Sequence, residues 1–532
     1  VAERQQWGSR IGFILAASGA AIGLGNIVFF AANAYRYGAG AFYLPYLIAL
    51  ITVGVPLMIA ELGMGQRFRR AFPGAMAKAG GPFGEFVGWF AVLNTLVIVM
   101  YYLTMIGWAA GMWWAALTGS LFQEAVEVTA LQQVMQNPDG SFFQTLTAWS
   151  VVVFVVLAWG LNTLGLYWGT DSIERVVKRM IPFIWVVMIY FLVRGFMTDG
   201  GLHGFYLLFR PEFEVMKSPQ VWGGAFAQIF FTLGLGMGIM TAYASYLPKG
   251  QDHVANGITI CGMNCTFEMI AGTAVFTLLF AYTVTPQAST LGMMFFVIPK
   301  TIMSMSVGAQ FVGALFFTLL LAAGITSSIS MFEATLAPLN YKFKHIPRRK
   351  VLLIMSAVGV AGSIAFAIPT VIDPSLESSG TLGLSLLDLV THYSFNFGLL
   401  LIGLVECIVL GWIFPLDDLR KELNESSSIK LGKWFNFLIQ FFVPAVLLFL
   451  VIWNILADVG LIGDTAGEFP TYFGADMELG AWGSLVWIAP LMWVLLTVVL
   501  GIFLTYRRGT DAKGNPMDDD DVLPVAETEV AS

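Results

Sequence analysis

Charge is scarce in this sequence: Asp, Glu, Lys and Arg make up 11% of 532 residues, against roughly a quarter in soluble proteins. With 57% of the residues hydrophobic, a water-soluble fold of this length is excluded. Cysteine is scarcer still. Cys261, Cys265 and Cys407 all fall inside apolar runs at no metal-ligand interval, which argues against a disulfide framework or a zinc site and leaves them as core filler. Four scattered histidines, no His-Glu-x-x-His and no clustered Asp/His set argue against a membrane-embedded enzyme. The lack of a Gly-x-x-x-x-Gly-Lys-Ser/Thr loop argues against an ATP-driven pump. A net charge of −7, weighted by the acidic end of the chain, gives no reason to expect nucleic acid as a partner. No small-residue cleavage site follows Trp7 and Arg10, so the first apolar segment is expected to be retained.

What is abundant is length of apolar run. A hydrocarbon layer of ~30 Å takes about 20 apolar residues per crossing. Runs bounded by charge or by Gly/Pro clusters lie near 10–36, 40–66, 85–119, 148–167, 178–198, 221–247, 256–284, 308–340, 351–369, 383–414, 435–456 and 482–506. The expected fold class is therefore an all-α polytopic membrane protein with twelve transmembrane helices. If the N-terminus is cytoplasmic, 22 of the 27 Lys and Arg residues lie on the inner side, and the positive-inside rule then puts both termini in the cytoplasm, with the lipid bilayer as the partner. Residues 1–508 are expected to form one transmembrane domain: a first group of five spans about 10–198, a second group of five about 221–414, and two extra helices about 435–506. The loop near 120–147 is expected on the outside, and 509–532 as a disordered acidic cytoplasmic tail.

Two runs are unusual in the same way. The first reads Gly19-Ala-Ala-Ile-Gly-Leu-Gly-Asn26 and the sixth Thr232-Leu-Gly-Leu-Gly-Met-Gly238. Glycine weakens a helix by about 1 kcal/mol relative to Ala, so both read as helices broken in mid-membrane. Close packing through small residues explains many membrane glycines. Here the two breaks open the first and second groups of five spans, the mark of a 5+5 inverted repeat with a site between broken first and sixth helices.

At this point the sequence resembles the neurotransmitter and neutral amino acid sodium symporter family, on the side of the bacterial leucine transporter. The resemblance covers nearly the whole chain. It rests on Trp7-Gly-Ser-Arg10, Gly23-Leu-Gly-Asn26, Gly38-Ala-Gly-Ala-Phe42, Gly54-Val-Pro-Leu57 with Glu61 and Gly63, Tyr101-Tyr102, Gln228-Ile-Phe-Phe-Thr232, Tyr243-Ala-Ser-Tyr246 and Ala323-Gly-Ile-Thr-Ser-Ser328.

The resemblance implies transport, not enzymatic chemistry, with two sodium ions as coupling ions and a small solute as cargo. One sodium would be held by Ala21, Asn26, Thr232 and Asn264 together with the substrate carboxylate. The other would be held by Gly19, Ile22, Ala323, Thr326 and Ser327, the first three through backbone carbonyls. For Thr326-Ser327-Ser328 the plain alternative is hydrogen bonding to carbonyls one turn back. The substrate pocket carried over from the family is Ala20, Leu24, Gly25, Ile98, Tyr102, Phe231, Thr232, Gly234, Met237, Ser327 and Met331. Amine-carrying members have an aspartate where this chain has Gly23, so a carboxylate-bearing solute is favoured, and Met237 and Met331 suit an apolar amino acid. A betaine-type osmolyte, another carboxylate, or a sensor that binds without transport are the alternatives. Glu268, one turn after Asn264, replaces the chloride that other members bind, which implies chloride independence and proton antiport.

The departures concern gating. Phe29 and Thr391 stand where the family usually has an outer arginine and aspartate, so an aromatic outer lid is expected from Phe29, Phe30, Tyr102 and Phe231. On the inner side Arg4 and Tyr246 remain, but the usual partner aspartate is replaced around Asn340-Tyr341, and Ser172 replaces a glycine ten residues before Pro182. Glu61, Glu333 and Glu406 are expected to anchor helices, and Asp388 is a further carboxylate within a span.

Overall fold

The computed structural model describes residues 6–119, 121, 149–286, 292–305, 307–372, 382–462 and 485–510. Arg4, most of the 120–147 loop, the tail beyond Thr510 and the side chain of Asp388 lie outside the described residues.

Nine helices among the described residues are long and apolar enough to cross a membrane, ten with the bent pair Arg10–Ala21 and Gly25–Arg36. The remaining two expected spans correspond to the 17-residue helix Ser150–Leu166 and to the pair Pro219–Thr232 and Ile239–Ser245. Boundaries follow the apolar runs to within a few residues, with two larger differences. The fifth helix starts at Thr170 rather than near 178, because its first turns carry Asp171, Glu174, Arg175 and Lys178 and extend past the apolar layer. The third starts at Phe72 and runs to Thr118 through a kink at Gly80-Gly81, where Gly81 has φ +63°. Leu416–Ser426 forms an additional amphipathic helix and Gly201–Phe209 a short apolar one.

Both interruptions expected from the glycines are present. The first pair bends by 52° where Ile22 leaves the helix (φ −78°, ψ 99°). In the second, Gly234, Gly236 and Gly238 take φ of +65°, +72° and +71°, a region that residues with a Cβ enter only at a cost. Lipid cannot satisfy backbone groups freed in this way, so neighbouring helices do. Glu61 accepts from Gly236 N at 2.8 Å and Thr95 Oγ1 donates to the Met237 carbonyl at 3.2 Å.

Trp7, Tyr243, Tyr246, Glu333 and Arg348 meet at one face of the bundle. Thr510, the last described residue, bridges to Phe343 close by, so both ends of the described chain share a face, called here the termini face.

Candidate functional site between the two helix breaks

The first break exposes carbonyls, and they meet the Ala309–Lys342 helix. Ser327 Oγ lies 3.1 Å from Gly19 O and 3.2 Å from Ile22 O. One hydroxyl proton gives only one well-aligned hydrogen bond or a weaker shared one, whereas a small cation would be coordinated by both carbonyls and by the hydroxyl oxygen. Ala323 and Thr326 stand on the same helix, and Thr326 Oγ1 donates to Ala322 O or Ala323 O at 3.2 and 3.0 Å, leaving its lone pairs free. Ser328 turns away to Asn162 at 3.1 Å. Back-bonding thus describes Thr326 and also Ser328, whose Oγ reaches Ile325 O at 3.1 Å, while Ser327 crosses to the first break.

A second cluster joins the two breaks. Asn26 Oδ1 accepts from Gly23 N at 2.7 Å, and its Nδ2 donates to Asn264 Oδ1 at 2.7 Å and to Thr232 Oγ1 at 3.2 Å. Ala21 lies at the end of the first helix beside it. Thr232 Oγ1 in turn donates to Glu268 Oε1 at 2.6 Å, and Gln228 Nε2 to the same oxygen at 2.9 Å. Tyr46 donates to the other carboxylate oxygen. Glu268 is fully buried, with its oxygens facing three neutral donors. Gln228 continues to Asn33 at 2.8 Å, so the network reaches the surface of the vestibule described below.

Pocket positions gather around the unwound turn. Tyr102 OH accepts from Leu24 N at 3.1 Å, which leaves the phenol proton for an incoming acceptor. A Cβ at Gly23 would come within 2.7 Å of Tyr102 OH and 2.6 Å of Ser327 Oγ, and one at Gly25 within 2.9 Å of Phe231. Gly234 and Met237 lie in the second break, Met237 Sδ being 4.0 Å from a Cβ at Gly234. Ala20, Ile98 and Met331 are buried on the same three helices; the contacts that tie the pocket together run through Gly23, Tyr102, Ser327 and Phe231.

Beyond the pocket, on the face opposite the termini, opens a vestibule of about 480 Å³ lined by Phe29, Asn33, Arg36, Gln228, Thr391 and Asp458 among others. Phe29 and Phe231 stack at its base, centroids 5.8 Å apart and planes within 13°, and Phe395 lies 4.1 Å from Phe231. Phe30, expected in this lid, instead packs against Phe42, Tyr43 and Tyr46 and is fully buried, because it sits one residue further round the helix. Phe395 takes its place. It follows Thr391 by one turn, the signal from which it was legible. Phe29→Arg should lower substrate affinity about tenfold or more, through a lost stacking pair worth ~0.5–1.5 kcal/mol and a cation desolvated opposite Thr391. Binding titrations on this variant and on Phe29→Arg/Thr391→Asp check it, the second carboxylate recovering part of the loss.

The termini face is closed. Trp7 Nε1 donates to Tyr243 O at 2.8 Å, and Tyr246 OH donates to Glu333, which also pairs with Arg348 at 2.7 Å. Glu174 accepts from Gly8 N at 3.0 Å and Ser9 Oγ at 2.7 Å and pairs with Lys178 at 2.6 Å. Tyr246 was expected here; Glu174, Glu333 and Arg348 as its latch were not. Glu61 and Glu333 anchor helices as expected, whereas neither oxygen of Glu406 has a hydrogen-bond partner.

An all-helical bundle with two helices broken opposite one another, and oxygen clusters at both breaks, is the architecture of an ion-coupled secondary transporter. Sequence comparison agrees: the profile of the sodium:neurotransmitter symporter family matches residues 4–130 and 125–500. The chain belongs to that family, and is a sodium-dependent transporter rather than an enzyme. A sodium-dependent transporter of Methanocaldococcus jannaschii is 33% identical over 465 residues, 84% of this chain and 89% of its own. The sodium-dependent serotonin transporter of Drosophila melanogaster is 27% identical over 87% of this chain and 78% of its own. Among solved structures, MhsT in complex with L-phenylalanine superposes with a TM-score of 0.74 at 27% identity, covering 85% of this chain and all of MhsT.

Proposed function

We propose that this protein imports a small zwitterionic solute, an apolar amino acid, together with two sodium ions, independently of chloride and with a proton carried back by Glu268. The observation that carries the reading is the single network that joins Asn26, Thr232 and Asn264 to a buried carboxylate between the two breaks. Asn26, Thr232, Asn264 and the Ala21 carbonyl form the first sodium site with the substrate carboxylate. Gly19, Ile22, Ala323, Thr326 and Ser327 form the second. Tyr102 OH and the backbone at Leu24-Gly25 bind the carboxylate end, while Ala20, Ile98, Phe231, Gly234, Met237 and Met331 enclose the side chain. MhsT, with its bound phenylalanine, supports the solute class. In this reading the termini face is cytoplasmic, which the excess of basic residues on that side supports, and the membrane is the plasma membrane. Residues 1–508 act as one unit, with repeats at 10–198 and 221–414.

Uptake into proteoliposomes tests this. Labelled phenylalanine or leucine should accumulate under a sodium gradient and fail to do so with potassium. A ligating contact of about 1.5–3 kcal/mol corresponds to roughly tenfold to hundredfold in concentration, so Asn26→Ala and Thr326→Ala should each raise half-saturating sodium by that range. Wild-type sodium dependence in both variants would remove the two sites. Accumulation of a betaine but of no amino acid would redirect the substrate, and binding without accumulation would make the protein a sensor.

A further inference from the structure

A crevice of about 670 Å³ runs along the termini-side half of the Thr170–Met197 helix, between it and the helices Ser150–Leu166 and Ala309–Lys342. It lies outside the transport site. Its walls are apolar, with Leu161, Leu164, Phe183, Leu321 and Ile325 facing into it. Its rim is not. Arg175 and Arg179 stand one turn apart at its mouth, next to Trp168.

The two arginines are exposed, and neither forms an ion pair among the described residues. Lys178, on the same turn, differs, being paired with Glu174 at 2.6 Å. Arg175 is held in place without neutralisation: its guanidinium lies 5.6 Å from the Trp168 ring centre, and its Nε donates to the Asp171 carbonyl at 3.1 Å. Trp168, half exposed, is the kind of residue that marks the headgroup level of a bilayer. With Trp168 marking the headgroup level, the crevice would place positive charge without an ion-pair partner at headgroup depth, above an apolar slot at acyl-chain depth. Basic pockets between membrane helices bind anionic lipid headgroups on this principle, and an arginine presents several donors to a phosphate.

We propose that this crevice is a binding site for an anionic phospholipid of the leaflet on the termini side, its phosphate held by Arg175 and Arg179 and an acyl chain lying against Leu161, Leu164 and Ile325. The position gives the site a consequence. Arg175 follows Glu174, which holds Gly8 and Ser9 and so latches the start of the first broken helix. The chain would rest on Ile325, the residue before Thr326. A lipid there braces the helix that carries the latch, so anionic lipid stabilises the form closed on the termini face.

The full-length protein in nanodiscs tests this, with phosphatidylcholine alone or mixed with phosphatidylglycerol. Phosphatidylglycerol should raise Tm by several degrees and should be retained in preference to phosphatidylcholine in native mass spectra. Arg175→Gln/Arg179→Gln should lose most of that shift, while Arg175→Lys/Arg179→Lys keeps much of it. Arg507→Gln/Arg508→Gln, which removes equal charge at exposed positions on the same face, should keep all of it. Ile325→Trp, which fills the slot and leaves the arginines, should lose the retained lipid. An undiminished shift in the double glutamine variant, an equal loss in the Arg507/Arg508 control, or retention of phosphatidylcholine or a fatty acid equal to that of phosphatidylglycerol would overturn the proposal. Should the glutamine variant not fold, Ile325→Trp and the wild-type lipid competition decide alone.

Discussion

Replacing Glu268 by serine should convert uptake from chloride-independent to chloride-dependent. In the wild type the carboxylate receives hydrogen bonds from Thr232, Gln228 and Tyr46 and, in the function proposed above, would offset the charge of a neighbouring sodium. Serine removes the charge and most of the volume but leaves those three donors around the vacated space, with a fourth hydroxyl beside them. That is a chloride site by construction, since every group facing it donates. Without chloride the variant should lose at least about tenfold in uptake, because a buried cation lacks its counter-charge; added chloride should restore it. The Gln228 to Asn33 link ends in the vestibule lining, which gives the anion its approach. Wild-type uptake that stops in chloride-free buffer, or a serine variant indifferent to chloride, would remove Glu268 from the role.

The same carboxylate has a second consequence for the wild type. In the proposed cycle, once sodium departs on the termini side an isolated buried carboxylate among neutral donors would be expensive, and a proton from that side would neutralise it for the return. The proton would therefore travel opposite to the solute. Uptake into vesicles with inward-facing termini should rise when the lumen is made acidic, and Glu268→Ser should abolish the response. Stimulation by an alkaline lumen would contradict the direction.

The second helix break was legible because Gly234, Gly236 and Gly238, three glycines within five residues, are free to take the left-handed conformations that they adopt, and the first because clustered glycines weaken a helix. Glu268 was legible for a related reason, since one helical turn from Asn264 fixes its side of the helix. The latch on the termini face was not. Glu174 reads as one charge among many in Asp171 to Arg179, and only the folded chain shows that its carboxylate turns inward to Gly8 and Ser9 while Arg175 and Arg179 turn outward. Lid composition failed for a finer reason. Phe29 and Phe30 are equivalent as letters, yet about 100° apart around a helix, so one faces Phe231 and the other Tyr46. The approach of Tyr46 to Glu268 joins residues 222 positions apart, beyond the reach of any local pattern.

Gly23→Asp should abolish amino acid binding, and the geometry separates two causes. A Cβ alone at this position would stand 2.6 Å from Ser327 Oγ and 2.7 Å from Tyr102 OH, closer than side chains tolerate, so Gly23→Ala should already weaken binding by about tenfold as both partners shift, a cost within the ~1–3 kcal/mol of overpacking. The aspartate adds charge. A second carboxylate about 4 Å from that of the substrate costs roughly 4 kcal/mol at an effective dielectric of 20, or about a thousandfold in affinity. The two variants should therefore differ by far more than alanine differs from the wild type. Cationic amines without a carboxylate escape the repulsion, so the aspartate variant should lose phenylalanine while any residual binding passes to an amine of similar size. Equilibrium binding of phenylalanine and of phenethylamine to the three proteins measures this. Equal losses in both variants would make the effect purely steric, and an aspartate variant that still binds phenylalanine with wild-type affinity would place the substrate carboxylate elsewhere than at Tyr102 and Leu24.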